Sequence, residues 1–384
     1  MSNEKQKVAA IFSSLADAIE TGTFGEKFPI GLTVPGSEHG NAELVKAAKL
    51  ARSANSDIDI VLIGGEKVDG FKHYPGNTLE DAHKQMEKLF ADGVIKAAVT
   101  MHYNFPMGVA TVGKVITPSN GKEMILSTTT GTADANRYKA MLLNVISGIA
   151  TAKANGIENP TVGLLNIDGI ALVEKALNKM AERGYKVHFA ESNRADGGVR
   201  MRGNDLLQGT PDIMVCDTLT GNLLIKLFSS FLTGGAYEAN GFGYGPCVGK
   251  GYDNIVGIVS RASGAPVIAK ALQFVARSAR GKLLEIYAEE LKLAQKAGLN
   301  EQLADMPGAK PAAAKDESVP MPPKKTVTEG IPGIDVIEIE DACQALWKVG
   351  IYAESGMGCT GPVVMVAEDD HKKAVEALKT ANFI

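Results

Sequence analysis

Gly203-Asn-Asp-Leu-Leu-Gln-Gly-Thr-Pro-Asp-Ile-Met-Val-Cys-Asp217, continued by Thr218-Leu-Thr-Gly-Asn-Leu-Leu-Ile-Lys226, reads as a short buried strand feeding directly into a helix. The apolar run Ile213 to Cys216 is too short for a helix and ends in Asp217 and Thr218, so it delivers polar side chains to a strand's carboxyl end. Thr220, Gly221 and Asn222 then open a helix, with Lys226 one turn in. A helix start presents unsatisfied N–H groups and the positive end of its dipole, which favours an anion such as phosphate. The same Thr-Gly-Asn triplet reads equally well as a plain helix cap.

The same unit recurs on either side. Strands are expected at Ile30–Val34, Ile58–Ile63, Ala97–Thr100, Met124–Ser127, Val162–Asn166, Val187–Ala190 and Ile213–Cys216, with helical stretches between most of them. Such alternation predicts a parallel α/β sheet covered on both faces, with ligands beyond the carboxyl ends of its strands. Ahead of this, Val8, Ile11, Phe12, Leu15 and Ile19 fall on one helical face within residues 7–19 and require a surface to cover.

Composition changes after a helix expected from about Gly281 to Leu303. Six of the sixteen prolines lie between Pro307 and Pro332 beside Ala312-Ala-Ala314, so residues 306–332 read as a semi-extended linker. The expected organisation is an α/β domain over 1–305, this linker, and a small α+β appendage over 333–384. Within the appendage the pattern predicts strands at Val336–Ile339, Ile351–Ala353 and Val363–Ala367, and helices through Ala342 to Trp347 and over Asp370–Ala381.

The 384 residues are 45% hydrophobic and 22% charged, which is globular material, and 40 basic against 44 acidic side chains leave a net charge of −4. No basic excess marks a nucleic-acid binder. No run of eighteen apolar residues occurs, and Met1-Ser-Asn-Glu-Lys lacks the apolar stretch of a signal peptide, so a cytoplasmic location off the membrane is expected. Cys216, Cys247, Cys343 and Cys359 form no C-x-x-C pair, which argues against a disulfide framework and against structural zinc.

Cys359 is set apart by Gly356-Met-Gly-Cys-Thr-Gly-Pro362, where glycines leave the sulfur unshielded for an acyl donor. Cys216 and Cys343 have apolar flanks and read as packing; Cys247, in Gly245-Pro-Cys-Val-Gly249, is a weaker second candidate. Glu354, Glu368 and Asp369 would raise the thiol pKa of Cys359, so its activation must come from elsewhere. An incidental cysteine in a glycine-rich hairpin is the alternative. Asn166 and Asp168, in Val162-Gly-Leu-Leu-Asn-Ile-Asp-Gly169, stand at another strand end, as anion ligands or as an Asx turn and cap. His102 and Asn104, with the hydroxyls of Ser127 to Thr132, are candidate pocket residues, and Arg261 is a guanidinium suited to phosphate.

Val162-Gly-Leu-Leu-Asn-Ile, Asn204-Asp-Leu-Leu-Gln-Gly, Val215-Cys-Asp217 and Thr220-Gly-Asn-Leu-Leu-Ile-Lys226 resemble the phosphate acyltransferase family of phospholipid synthesis over roughly residues 30–285. With the tail motif included, the whole length resembles the component C alpha subunits of glycine/sarcosine/betaine reductases. The resemblance implies a three-layer α/β/α sandwich of the isocitrate/isopropylmalate dehydrogenase type. It also implies a subunit that takes a two-carbon unit from the selenocysteine of selenoprotein A, holds it as a thioester on Cys359 and releases acetyl phosphate. A condensing-enzyme-like beta subunit is the further implied partner. An oligomeric assembly is expected. No metal or organic cofactor is called for, and phosphate is a substrate.

The lipid enzymes' glycine-rich pocket stretches are matched only loosely by Tyr103-Asn-Phe-Pro-Met-Gly108 and Thr129-Thr-Gly-Thr-Ala-Asp134. That departure favours a small acyl group over a long chain. The alternatives are an acyl carrier protein:phosphate acyltransferase and a non-catalytic docking subunit.

Overall fold

A computed structural model describes residues 27–307, 319–334, 338–358 and 361–384, apart from Asp196 and Asn382, together with residues 8, 11–13, 15, 16, 18 and 19 near the N-terminus. Those N-terminal residues are helical, and the predicted face of Val8, Ile11, Phe12, Leu15 and Ile19 is exposed.

Fifteen strands are described: β1 (Phe28–Thr33), β2 (Ile58–Ile63), β3 (Lys72–Tyr74), β4 (Ala97–Met101), β5 (Phe105–Pro106), β6 (Val109–Ile116), β7 (Glu123–Thr132), β8 (Val162–Leu165), β9 (Arg200–Met201), β10 (Ile213–Val215), β11 (Gly245–Gly249), β12 (Val256–Val259), β13 (Glu329–Pro332), β14 (Ala353–Gly358) and β15 (Gly361–Val366). Eleven form one sheet in the order β3-β2-β1-β4-β12-β11-β6-β7-β10-β8-β9. Pairing is parallel except for β12-β11, β11-β6 and β6-β7. The chain is therefore mixed α/β with a large, parallel-dominated sheet.

Strand side chains alternate between two cores, as the period of two requires. Ile58, Ile60 and Leu62 of β2 face one core with the helices Asn41–Ala54, Arg137–Ala154 and Ala265–Arg280, whereas Val61 and Ile63 face the other with the helices Leu79–Ala91 and Thr218–Ser230. Helices thus cover both faces. Local caps fix where they begin: Thr78 and Asp81 form a reciprocal capping box, and Asn136 accepts from the N–H groups of Tyr138 and Lys139.

Several expectations change. Val187–Ala190 is not a strand: only Phe189 makes a bridge, to Val162, before the chain turns away and β9 takes that edge of β8. Ile339 opens the helix Ile339–Lys348, because Ile339, Ala342, Cys343 and Leu346 recur at helical spacing into the tail's own core; Val336 lies outside the described residues. The second tail strand, expected at Ile351–Ala353, runs Ala353–Gly358, so the glycine-rich motif continues a hairpin instead of forming only a turn. The stretch read as linker contains β13, which pairs with β15 along Glu329–Pro332 and is held by the buried Ile331.

The small sheet has the order β13-β15-β14-β5. Its edge strand β5 comes from the main body, between β4 and β6, and pairs Phe105 with Met357 and Pro106 with Gly356. The Met107 N–H donates to the Ser355 carbonyl at 3.0 Å, extending the contact. Strand addition therefore fixes where the hairpin of β14 and β15 sits relative to the large sheet.

Candidate functional site

The sheet's carboxyl edge, the helix Thr218–Ser230 and the tail hairpin meet in one place. β10 delivers Asp217 as the N-cap of that helix: its carboxylate accepts from the Thr220 N–H at 3.1 Å and the Thr220 hydroxyl at 2.6 Å. Arg137, first residue of the helix after β7, donates to the same carboxylate at 3.2 Å and lies 3.7 Å from Asp168. Burial pushes the Asp217 carboxyl up, but the Thr220 hydrogen bonds and Arg137 outweigh it and hold its pKa below the ordinary value.

This arrangement corrects the expected anion cradle. The helix begins at Thr218, and the Thr220 N–H is already taken by Asp217. Gly221 serves packing: a Cβ there would lie 1.7 Å from the Thr128 carbonyl oxygen, so only glycine lets this helix approach β7 so closely. Thr218 and Leu219 hold the first-turn N–H groups beyond the reach of that cap.

Two cavities run along the same helix. One of about 290 Å³ is lined by His102, Asn222, Lys226 and Arg261, with Glu38 and Thr130. Four residues singled out in the sequence, from three separate motifs, therefore converge. The other cavity, about 150 Å³, is lined by Thr132, Asp134, Arg137, Asp217, Thr218 and Met357. Thr218, Asn222 and Lys226 are spaced by four and share one helix face, which links the two cavities.

Lys226 lies 4.0 Å from Glu238, and among the described residues no carboxylate pairs with Arg261. Asn222 donates its amide to the Thr129 carbonyl at 3.0 Å, which fixes it against β7. His102 follows β4 at a φ of 50°, a left-handed conformation that non-glycine residues rarely adopt. Desolvation, and then the charge of Arg261, lower the pKa of its imidazole. It is therefore neutral at neutral pH.

Asn166 and Asp168 do not join the Lys226–Arg261 cleft: Asn166 is exposed at the end of β8, and Asp168 is spent on Arg137. The hydroxyls of Ser127 to Thr132 are mostly committed as well, Ser127 to the Asn144 carbonyl, Thr129 to the Tyr244 carbonyl and Thr132 to the Asp134 carbonyl. Asn104 lines a separate crevice of about 750 Å³ between body and tail, which His102 shares. His83 lines it too; burial lowers its pKa to about 4.

Three cysteines are closed to chemistry. Cys216 is buried and its thiol pKa is pushed up by desolvation. Cys247 and Cys343 are buried and raised to about 12, and Cys247 is enclosed by the Asn254 carbonyl and the Val256 N–H. Cys359 and Thr360 lie outside the described residues. Their neighbours Gly358 and Gly361 pair with each other, and Met357 closes the smaller cavity above Thr218. Among the described residues no group of three His, Cys, Asp or Glu could hold a metal ion, and no helix is long and apolar enough to cross a membrane.

Arg137 is the residue that sequence reading missed. It sits in no glycine-rich motif; its only signal is position, one residue after the Asn136 cap where β7 ends.

Residues 28–365 match the family described as fatty acid synthesis protein. The chain is 52% identical, over 100% of both chains, to the glycine/sarcosine/betaine reductase complex component C subunit alpha of Peptoclostridium acidaminophilum. It is 33% identical to a phosphate acyltransferase of Acetivibrio thermocellus over 117 residues, 30% of this chain and 33% of the relative. A branched-chain phosphotransacylase from Enterococcus faecalis V583 aligns with a TM-score of 0.45 and 16% identity, over 66% of this chain and 99% of that one.

Proposed function

The chain belongs to the fatty acid synthesis protein family, and within it to the component C alpha subunits of glycine/sarcosine/betaine reductases; from there we propose that it transfers an acetyl group from a thioester on Cys359 to phosphate. The convergence of His102, Asn222, Lys226 and Arg261 in one cleft, joined along one helix face to the cavity under Met357, carries this reading. A cleft with two cations and a neutral imidazole suits a dianion such as phosphate. Gly358 and Gly361, the described residues on either side of Cys359 and Thr360 in the sequence, pair with each other, and Met357 of the same hairpin lines the neighbouring cavity.

In this scheme the two-carbon unit arrives as a carboxymethyl group on the selenocysteine of selenoprotein A. A second thiol closes on selenium as the carbon–selenium bond breaks, so selenium is oxidised to a selenenyl sulfide while the methylene is reduced to methyl. The carboxyl loses one oxygen as water as the Cys359 thiol takes up the acetyl group as a thioester, which divides one difficult transfer into two steps. Phosphate bound by Lys226 and Arg261 attacks the thioester carbonyl, the carbon–sulfur bond breaks, and the thiolate leaves with acetyl phosphate as product. The first-turn N–H groups of Thr218 and Leu219 supply donors in the cavity under Met357 for the tetrahedral oxyanion, while Arg137 balances Asp168 and Asp217 beside them. No metal or organic cofactor enters the scheme. A condensing-enzyme-like beta subunit completes the proposed cytoplasmic complex, and the isocitrate/isopropylmalate dehydrogenase-like sandwich with a Cys-bearing tail is the architecture this reading carries.

The test is an intact-mass spectrum after incubation with acetyl phosphate. A species about 42 Da heavier, acetyl replacing hydrogen, with the adduct on Cys359, is expected for a covalent intermediate. Active enzyme without that adduct, or a Cys359→Ala variant exchanging acetyl phosphate with arsenate at the wild-type rate, overturns the covalent role.

A further inference from the structure

Glu238 is only 1% exposed, a costly place for a carboxylate unless it is paired and hydrogen-bonded. It lines none of the three cavities described above, so it does not meet a bound anion itself. After the helix Thr218–Ser230 the chain turns back, and the Ala239 and Asn240 N–H groups both donate to the Ser229 carbonyl, at 2.9 and 3.1 Å. That return lays Glu238 beside Lys226, whose Nζ is 4.0 Å from its Oε1. Among the described residues no other cation lies within that distance of it.

The other side of Glu238 faces the loop that carries Arg261. Its N–H donates to the Ala262 carbonyl at 3.0 Å, and its carbonyl accepts from the Gly264 N–H at 2.9 Å. Oε2 accepts from the Ser263 hydroxyl at 2.5 Å, and the Ser263 oxygen in turn accepts from the Ser260 N–H at 3.0 Å. Arg261 is thus bracketed by two serines that lead back to one carboxylate. The Tyr244 hydroxyl donates to Oε1 at 3.2 Å, and Tyr244 and Ser260 themselves line the cleft.

We propose that Glu238 is a positioning residue that sets the spacing of the two cations of the cleft, drawing in Lys226 by its charge and holding the Arg261 loop through Ser263. The inference rests on the reading of that cleft as the phosphate site. A hydrogen-bonding brace alone needs no charge, since an amide of the same shape also offers Ser263 an oxygen. A carboxylate close to an anion site also repels the anion. Its presence therefore weakens phosphate binding unless its hold on Lys226 outweighs that repulsion, and this opposition gives the test its sign.

The experiment is a calorimetric titration of the full-length chain with inorganic phosphate at fixed ionic strength, which needs no acyl transfer. Glu238→Gln should weaken binding roughly tenfold, the scale of one charge-assisted contact, whereas relief of repulsion alone would tighten it. In a Lys226→Gln background the same change should cause no further loss, because the group it positions is gone. Ser263→Ala frees the Arg261 loop and should weaken binding severalfold in both backgrounds. Tighter or unchanged binding by Glu238→Gln, or an undiminished loss in the Lys226→Gln background, overturns the proposal and leaves the phosphate site standing. A Lys226→Gln variant that binds phosphate as the wild type does removes the site and the proposal together. Should Glu238→Gln not fold, Ser263→Ala decides, and unchanged phosphate binding by that variant overturns the proposal.

Discussion

His102 is poised by its neighbours more than by its own chemistry. Partial desolvation lowers its pKa first, and the Arg261 guanidinium lowers it further. Replacing Arg261 by Gln removes only the second cause. The imidazole pKa should therefore rise, while staying below the ordinary value near 6.5 because the desolvation persists. Histidine Cε1–H chemical shifts followed against pH in both proteins test this, and an unchanged titration would mean the guanidinium does not act on the ring. The same substitution, like Lys226→Gln, should raise the KM for phosphate roughly 10- to 100-fold, the range for losing one charge-assisted hydrogen bond. Gly221 gives a stability prediction from geometry alone. An added Cβ would meet the Thr128 carbonyl at 1.7 Å. Gly221→Ala should therefore lower the urea midpoint by the equivalent of about 1–3 kcal/mol, a typical cost of overpacking, and would widen the cleft as the helix shifts.

At the scale of elements, docking of the tail depends on very little backbone. β5 contributes two residues to the small sheet, and the Met107 N–H adds one donor to Ser355. Met107→Pro removes that donor and should speed amide exchange at Gly356 and Met357 severalfold, leaving exchange in β1 and β2 unchanged. Unchanged exchange in β14 would show that the β5–β14 pairing of Phe105 with Met357 and Pro106 with Gly356 holds the tail without that donor. The same contact shows why part of the fold was legible in the sequence and part was not. β2 ends where its apolar run ends, at Ile58 and Ile63, because a buried parallel strand needs continuous apolar residues. β5 has two residues and a partner some 250 positions away, so no local pattern marks it. The antiparallel β6 and β11, and the part of β7 beyond Ser127, were hidden for a related reason: their threonines and glycines are satisfied by one another across strands, as Thr111 is by Thr129 at 2.8 Å, and carry no helical or parallel-strand period. Lys226 and Arg261 were legible because cations beside a strand end are conspicuous. Arg137 was not, since its importance comes from Asp168 and Asp217, which only the folded sheet brings to it.

For the whole molecule, the junction of body and tail is also an electrostatic one. Glu329 on β13 shares a crowded site with Glu80 of the helix Leu79–Ala91, with Glu368 and with His371, while Lys84 bridges Glu80 at 3.2 Å and Glu368 at 2.7 Å. Desolvation, then the charge of Glu80 and a hydrogen bond with it, raise the pKa of Glu329 above its ordinary 4.5. An acid whose pKa is raised by folding binds its proton more tightly in the folded state. Its contribution is therefore fully present below the unfolded pKa and is lost as pH rises through the raised folded value. Glu329 thus favours the docked tail in mild acid and opposes it towards neutrality, where its carboxylate faces that of Glu80 and Lys84 and His371 offset them in part. Glu329→Gln keeps the shape and removes the titration. Exchange protection of Gly356 and Met357, corrected for the intrinsic pH dependence of exchange, should fall with rising pH in the wild type and stay nearly level in the variant. Near pH 7 the variant should be the better protected of the two. If both proteins lose protection along the same curve, the titrating group is not Glu329, and the Lys84 bridge to Glu368 has to be tested in its place with Glu368→Gln.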